Sequence, residues 1–259
     1  MKGAEALSAA LSAAARPALV AYLTAGFPSL DAFAPALRAT AARAAVLEVG
    51  VPFSDPMADG ATIQRASRIA LEAGASLTWI LDTLAAAAPL AAPVVLMSYL
   101  NPLLAGGLER NVRRAAEAGV AGMIVPDLPL EEAGPLGGML EGQGMALVQL
   151  VTPVTAPPRI ERLARASRGF LYAVTTAGIT GGEVAIAPAL RAYLARVREV
   201  ARLPVCAGFG IRSAAQVAAL ADVVDGVIVG SALVEALERG EDPGAFLEAL
   251  VVGGDEEGR

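Results

Sequence analysis

Eight short apolar runs recur along the chain, separated by amphipathic stretches rich in Ala, Leu and Arg, and this alternation constrains the fold more than any other feature. The runs are ALVAYLT (18–24), AVLEVG (45–50), PVVLMSY (93–99), AGMIVPD (121–127), ALVQLV (146–151), GFLYAVT (169–175), LPVCAG (203–208) and GVIVGS (226–231). Near-continuous apolar runs belong to parallel strands covered by helices on the outside and packed side chains within. The same alternation serves an open doubly wound sheet. Eight units with no break in composition over 259 residues favour closure, so the expected fold class is α/β, a (β/α)8 barrel of the TIM type. The expected organisation is a single domain, 1–259, with an extra N-terminal helix over about 1–17 and a polar tail over about 252–259.

Composition narrows the chemistry. A chain that is 55% hydrophobic and 18% charged can fill such a core and does not read as disordered. The net charge of −6 and the lack of any basic run argue against nucleic acid or an anionic membrane surface as partner. No apolar run free of Gly, Pro and charge is long enough to span a bilayer. The N-terminal MKGAEALSAALSAAARPALV reads as a helix leading into a strand rather than a signal peptide. The single cysteine, Cys206, has no internal disulfide partner, which fits a cytoplasmic location. There is no histidine, and Lys2 is the only lysine. Imidazole catalysis, histidine–metal sites and a lysine imine within the fold are thereby excluded. Carboxylates, hydroxyls, arginine and the backbone remain.

In a barrel the chemistry sits at the C-terminal ends of the strands and in the loops that follow. The second run carries Glu48 between Leu47 and Val49, so its side chain points opposite to theirs. A carboxylate facing the barrel axis loses water, its pKa rises, and it becomes a general acid or base near neutrality. No arginine lies in any of the eight runs to pair with it structurally. The following loop, VPFSDPMADGAT, adds Asp55 and Asp59. Both are ordinary turn formers, and Asp59 stands where it could equally cap a helix. After runs seven and eight, AGFGIRS and GVIVGSAL place glycine ahead of a helix start. Unblocked N–H groups there bind phosphate, and Gly210, Gly230 and Ser231 are the natural donors. A third cluster, TTAGITGGEVA after run six, offers Gly181 or Gly182. The residues alone thus describe a barrel that binds a phosphorylated small molecule and moves protons on it or splits it. Hydride transfer has no nucleotide fingerprint in support.

The stretch LEVGVPFSDPMADGATIQ resembles the signature of the tryptophan synthase alpha chain family nearly residue for residue. ALVAYLTAGFP, VVLMSYLNPLL, GMIVPDLPLEE, GFLYAVTTAGITG, CAGFGI and VIVGSALV resemble other parts of the family in order, from about residue 18 to 235. The resemblance implies retro-aldol cleavage of indole-3-glycerol phosphate to indole and glyceraldehyde 3-phosphate, without metal, cofactor or Schiff base. By position it makes Glu48 the catalytic proton shuttle and Asp59 the second catalytic carboxylate, which hydrogen-bonds the indole N–H. Tyr172 lines the site near Glu48, Tyr22 lies beside the indole, and Thr180 orients Asp59 on loop closure. Gly181, Gly210, Gly230 and Ser231 match the phosphate binders.

The resemblance also implies a beta chain partner in an alpha2-beta2 complex, met through the stretches holding Asp55, Pro56, Asn101 and Pro129. The chain departs from the family pattern at Phe27, at Ala61 and at Thr175–Thr176, positions that bear on loop closure and on communication with the partner rather than on the two carboxylates. Sugar-phosphate isomerases and epimerases are the nearest enzyme rivals. The former would want an aspartate where the first run ends Tyr22-Leu23-Thr24, the latter metal-binding histidines. A barrel that only binds a partner would have lost one of the carboxylates.

Overall fold

A computed structural model describes residues 3–175, 186–208 and 210–252. Thr176, Thr180, Gly181, Gly182 and the tail beyond 252 lie outside the described residues. The strands are β1 (Ala18–Thr24), β2 (Val46–Gly50), β3 (Val94–Met97), β4 (Val120–Ile124), β5 (Ala146–Val151), β6 (Leu171–Val174), β7 (Val205–Gly208) and β8 (Gly226–Val229). They close in chain order into one parallel barrel, β8 pairing with β1. This is the expected (β/α)8 architecture, and the open-sheet alternative is ruled out.

The helices are α1 (Gly3–Ala13), α2 (Leu30–Ala41), α3 (Ala61–Glu72), α4 (Leu77–Ala87), α5 (Leu100–Leu104) and α6 (Leu108–Glu117). They continue as α7 (Gly134–Gly142), α8 (Pro157–Ala166), α9 (Pro188–Val200), α10 (Ala214–Ala219), α11 (Ser231–Glu238) and α12 (Pro243–Val252). Serine hydroxyls start three of them: Ser29, Ser76 and Ser213 each accept a backbone N–H of the first turn, a cap worth about 1 kcal/mol. Two helices, α3 and α4, fill the β2–β3 crossover. Among the described residues no single helix is long and apolar enough to cross a membrane.

Strand alternation sorts the core into two layers. Outward residues such as Leu47, Val49, Leu96 and Val227 pack against the helices. Inward residues, including Val20, Val46, Val95, Val148, Phe170 and Ile228, fill the barrel. The lower end is plugged by α1, whose buried Leu7 and Leu11 join the inner layer. Each such leucine contributes about 1.5–3 kcal/mol by leaving water. Ser8 Oγ donates to the Gly169 carbonyl at 2.5 Å and fixes the plug. With that end filled by apolar side chains, polar inward residues are left at the upper end.

Candidate active site

Glu48 sits at the centre of β2, in register with Tyr22 on β1 and Val95 on β3. It is 1% exposed, and its Oε2 has no hydrogen-bond partner among the described residues. Burial, reinforced by the nearby charge of Asp59, pushes its carboxyl up to about 8. No arginine among the described residues offsets the burial. A buried carboxyl without a counter-charge stays protonated through neutral pH, which suits a proton donor better than a structural ion pair.

Asp59 reaches the same space from the β2–α3 loop. A chain of short backbone bonds shapes that loop, Met57 N–H donating to Asp55 O at 2.9 Å and Asp59 N–H to Pro56 O at 3.2 Å. Gly60, not Asp59, is the N-cap of α3, with no side-chain cap. The capping alternative for Asp59 therefore fails. Its carboxyl is raised to about 6 by burial, with a hydrogen bond from the Tyr99 hydroxyl opposing the rise. At neutral pH Asp59 is thus largely ionised while Glu48 holds its proton. Two carboxyls held apart in this way can act as an acid and an anion side by side.

Two tyrosines flank Glu48. The Tyr22 hydroxyl occupies the space that a β-carbon on Gly50 would take, and the Tyr172 hydroxyl the corresponding space at Gly208. A side chain at either glycine would occupy the space the phenol needs. Thr24 Oγ1 donates to the Tyr22 hydroxyl at 3.4 Å. Burial raises both phenols well beyond their ordinary value, so both are neutral.

Across the barrel mouth, Gly210 adopts a left-handed backbone, φ 82°, reachable at low cost only without a side chain. Gly230 caps α11 with no side-chain acceptor, and Ser231 opens that helix. The helix therefore presents unspent N–H groups and the positive end of its dipole. Gly210, Gly230 and Ser231 line the same cavity as Tyr22, Glu48, Asp59 and Tyr172. A network braces this side: Arg212 Nη1 and Nη2 meet Glu235 at 2.7 and 2.9 Å, and Thr62 Oγ1 donates to Glu235 at 3.0 Å. It joins α3, the β7–α10 loop and α11.

The sequence reading missed Tyr99, although the residue stands where a strand passes into its loop and so obeys the rule applied elsewhere. Its hydroxyl accepts the Ala58 N–H at 2.8 Å, and its ring stacks on Phe53 at 5.1 Å. Met97, Ile63 and Ile228 supply an apolar lining that strand patterns alone do not distinguish from core. Thr180 and Gly181 lie outside the described residues.

Asp55, Pro56 and Pro129 occupy the loops after β2 and β4, and Asn101 lies in α5 just after β3; all but the half-buried Pro56 are exposed. Met57 beside them is 89% exposed. Asp127 ties two of these loops by accepting the Leu100 N–H at 2.9 Å. Of the departures, Phe27 is buried in the core and Ala61 opens α3. Thr175 Oγ1 donates to the Gly208 carbonyl at 3.0 Å.

Residues 8–252 match the family model described as tryptophan synthase alpha chain. A relative of that name from Nitratidesulfovibrio vulgaris (strain DP4) is 47% identical over 239 residues, covering 92% of this chain and 93% of its own. Among solved structures, tryptophan synthase subunit alpha from Legionella pneumophila superposes with a TM-score of 0.87 at 33% identity, covering 98% of this chain and 99% of that one. A structure of the tryptophan synthase a2b2 complex from Pyrococcus furiosus gives 0.85 at 33% identity, covering 92% and 99%.

Proposed function

Because the chain belongs to the tryptophan synthase alpha chain family, we propose that Glu48 and Asp59 are the carboxylates through which it carries out that family's reaction. The reaction is cleavage of indole-3-glycerol phosphate to indole and glyceraldehyde 3-phosphate. One observation carries the assignment of residues. Two carboxyls of different ionisation, raised to about 8 and about 6, line one cavity with a helix N-terminus whose first N–H groups are unspent.

The chemistry follows from the substrate's own indole. Protonated Glu48 delivers its proton to indole C3, turning the ring into an iminium. Ionised Asp59 accepts a hydrogen bond from the indole N–H and offsets the positive charge there. Glu48, now a carboxylate, removes the proton from the glycerol hydroxyl adjacent to C3. The O–H electrons become the aldehyde C=O, the C–C bond breaks, and its electrons restore the aromatic ring. Glu48 finishes protonated, as it began. The iminium does the work of a lysine imine, which the barrel could not supply because the only lysine is Lys2.

Tyr172 and Tyr22 shape the slot around the indole and exclude water from Glu48. Gly210, Gly230 and Ser231 hold the phosphate. The partner is a tryptophan synthase beta chain, and the rim bearing Asp55, Pro56, Asn101 and Pro129 is where it docks. The work of such an enzyme is cytoplasmic.

The test is indole release from indole-3-glycerol phosphate by purified protein, alone and with a beta chain, in wild type, Glu48→Gln and Asp59→Asn. Wild-type release with collapse in both variants supports the reading. Undiminished release in Glu48→Gln would overturn its assignment.

A further inference from the structure

Gln149 is out of place for its position. It lies on β5 between Leu147 and Val151 on the outward face, which elsewhere packs apolar side chains against helices. It is only 7% exposed. Its backbone N–H is satisfied by Ser167 Oγ at 2.9 Å, but its carboxamide makes no hydrogen bond with any described residue. Its amide is not among the fully buried unpaired groups, so the carboxamide opens onto the cavity that Gln149 lines and is free to pair with what enters it.

The carboxamide borders a cavity of ≈ 330 Å³ between β5 and helices α1, α7 and α8, a size at the lower end of small-molecule sites. Leu130, Met145 and Leu147 supply its apolar wall, and Glu5, Glu141, Gln149 and Arg168 supply polar groups. The α7 wall is bare because Gly134 and Gly137 face it. Packing does not demand these glycines. A Cβ at Gly137 would meet only Leu147 Cδ2, at 3.7 Å, and one at Gly134 would meet nothing within 4 Å. Glycine inside a helix costs up to about 1 kcal/mol against alanine. An amide without a protein partner and the helix-interior Gly137 therefore converge on one open space.

We propose that this cavity is a second binding site, for a small neutral planar ligand bearing adjacent hydrogen-bond donor and acceptor, such as a lactam. The Gln149 carboxamide offers an acceptor and a donor side by side and pairs with such an edge twice. The rim disfavours anions. Glu141 borders it, while Arg168, the one cation among the described lining residues, spends Nη1 on the carbonyls of Arg165, Ala166 and Ser167 at 3.0, 3.3 and 2.9 Å. A bound ligand would bridge α1 to α7 and β5, away from the catalytic mouth.

The experiment titrates the full chain with 2-quinolone, a neutral lactam, and observes glutamine side-chain amides by NMR. The chain has four glutamines. Gln64 stands beside Asp59, its Nε2 donating to the Asp59 carbonyl at 2.9 Å, and so reports on the active site. The expected result is a saturable shift of the Gln149 signal. 2-Methoxyquinoline, which keeps the shape but lacks the N–H, should bind at least tenfold more weakly. Gln149→Leu and Gly137→Leu should each weaken 2-quinolone at least tenfold, and Gly137→Leu should leave indole release unchanged. Gly137→Leu replaces a helix-breaking residue and decides the matter if Gln149→Leu does not fold. No saturable Gln149 shift, shifts at Gln64 alone, or unaltered affinity in Gly137→Leu would overturn the proposal.

Discussion

The backbone N–H of Ala58 donates to the Tyr99 hydroxyl at 2.8 Å, across forty-one positions of sequence, and pins the residue next to Asp59. The same hydroxyl hydrogen-bonds Asp59 and keeps its carboxyl from rising further. Tyr99→Phe strips the loop of both contacts, at a cost of about 0.5–1.5 kcal/mol for each lost hydrogen bond. We expect kcat/KM for indole release to fall by about tenfold, and the acidic limb of its pH profile to move to higher pH. A profile that keeps its limb would show that Tyr99 does not set the ionisation of Asp59.

The two carboxyls predict a bell-shaped dependence of kcat/KM on pH. Activity should rise as Asp59 ionises near 6 and decline as Glu48 loses its proton near 8. Glu48→Gln should lower turnover by roughly 10²–10⁴ at the optimum, the range for loss of a general acid–base group. Asp59→Asn should abolish the acidic limb along with most activity. An acidic limb that survives in Asp59→Asn belongs to another group.

Much of this arrangement was legible in the residues, for physical reasons that can be named. Continuous apolar runs fixed the parallel strands, and Ala18–Thr24 and Ala146–Val151 coincide with the runs as read. Glu48 stood out because a charged residue in such a run has few structural excuses. Asp59 was ambiguous, since Asp–Gly before a helix serves a cap as well as a catalyst. Only the placement of the N-cap at Gly60 separates the two. Tyr99 was missed because a tyrosine closing a buried strand reads as core, and its contact with Ala58 depends on where the β2–α3 loop folds. Gln149 shows the same limit. Its oddity required knowing which face of β5 meets the helices.

Glu48 should make the protein less stable as pH rises. Its folded pKa, about 8, lies above its unfolded value of 4.5, so the native state binds more protons across that window. Stability is then lost progressively from about pH 4.5 to pH 8, by an amount on the order of a few kcal/mol. Asp59 acts with the same sign between 3.8 and about 6. Glu48→Gln should therefore be more resistant to urea than wild type at pH 8–9, with the difference shrinking towards pH 5. Equal midpoints at both pH values would mean that Glu48 is not held neutral by burial.

Gly50 and Gly208 should tolerate no side chain while the tyrosines stay in place. In Gly50→Ala the new methyl meets the Tyr22 ring and hydroxyl directly, an overpacking that costs about 1–3 kcal/mol. Tyr22→Leu should relieve part of it. The double variant is expected to be more stable than the sum of the single losses predicts, by at least about 0.5 kcal/mol. Strict additivity in denaturant unfolding would show that the methyl is accommodated elsewhere.

The Thr62–Glu235–Arg212 network should govern substrate affinity more than chemistry. Glu235 holds α11, whose first turn carries Ser231, to the loop beyond Gly210 and to α3. Its carboxylate is held down near 2, chiefly by the Arg212 guanidinium. It is therefore fully charged throughout the working range, and the network weakens only as pH falls below the ordinary glutamate value of 4.5 towards 2. Arg212 is half exposed, so the ion pair adds little to global stability, and its consequence is positional. Glu235→Gln keeps the shape, removes the charge, and loosens the tie between α11, the β7–α10 loop and the start of α3. Backbone N–H groups aimed at a phosphate lose their hold when these elements shift, whereas Glu48 stands on β2, away from the network. KM should rise several-fold with kcat within about twofold of wild type, the pattern of lost uniform binding. A fall in kcat at unchanged KM would place the network in the service of the carboxylates instead.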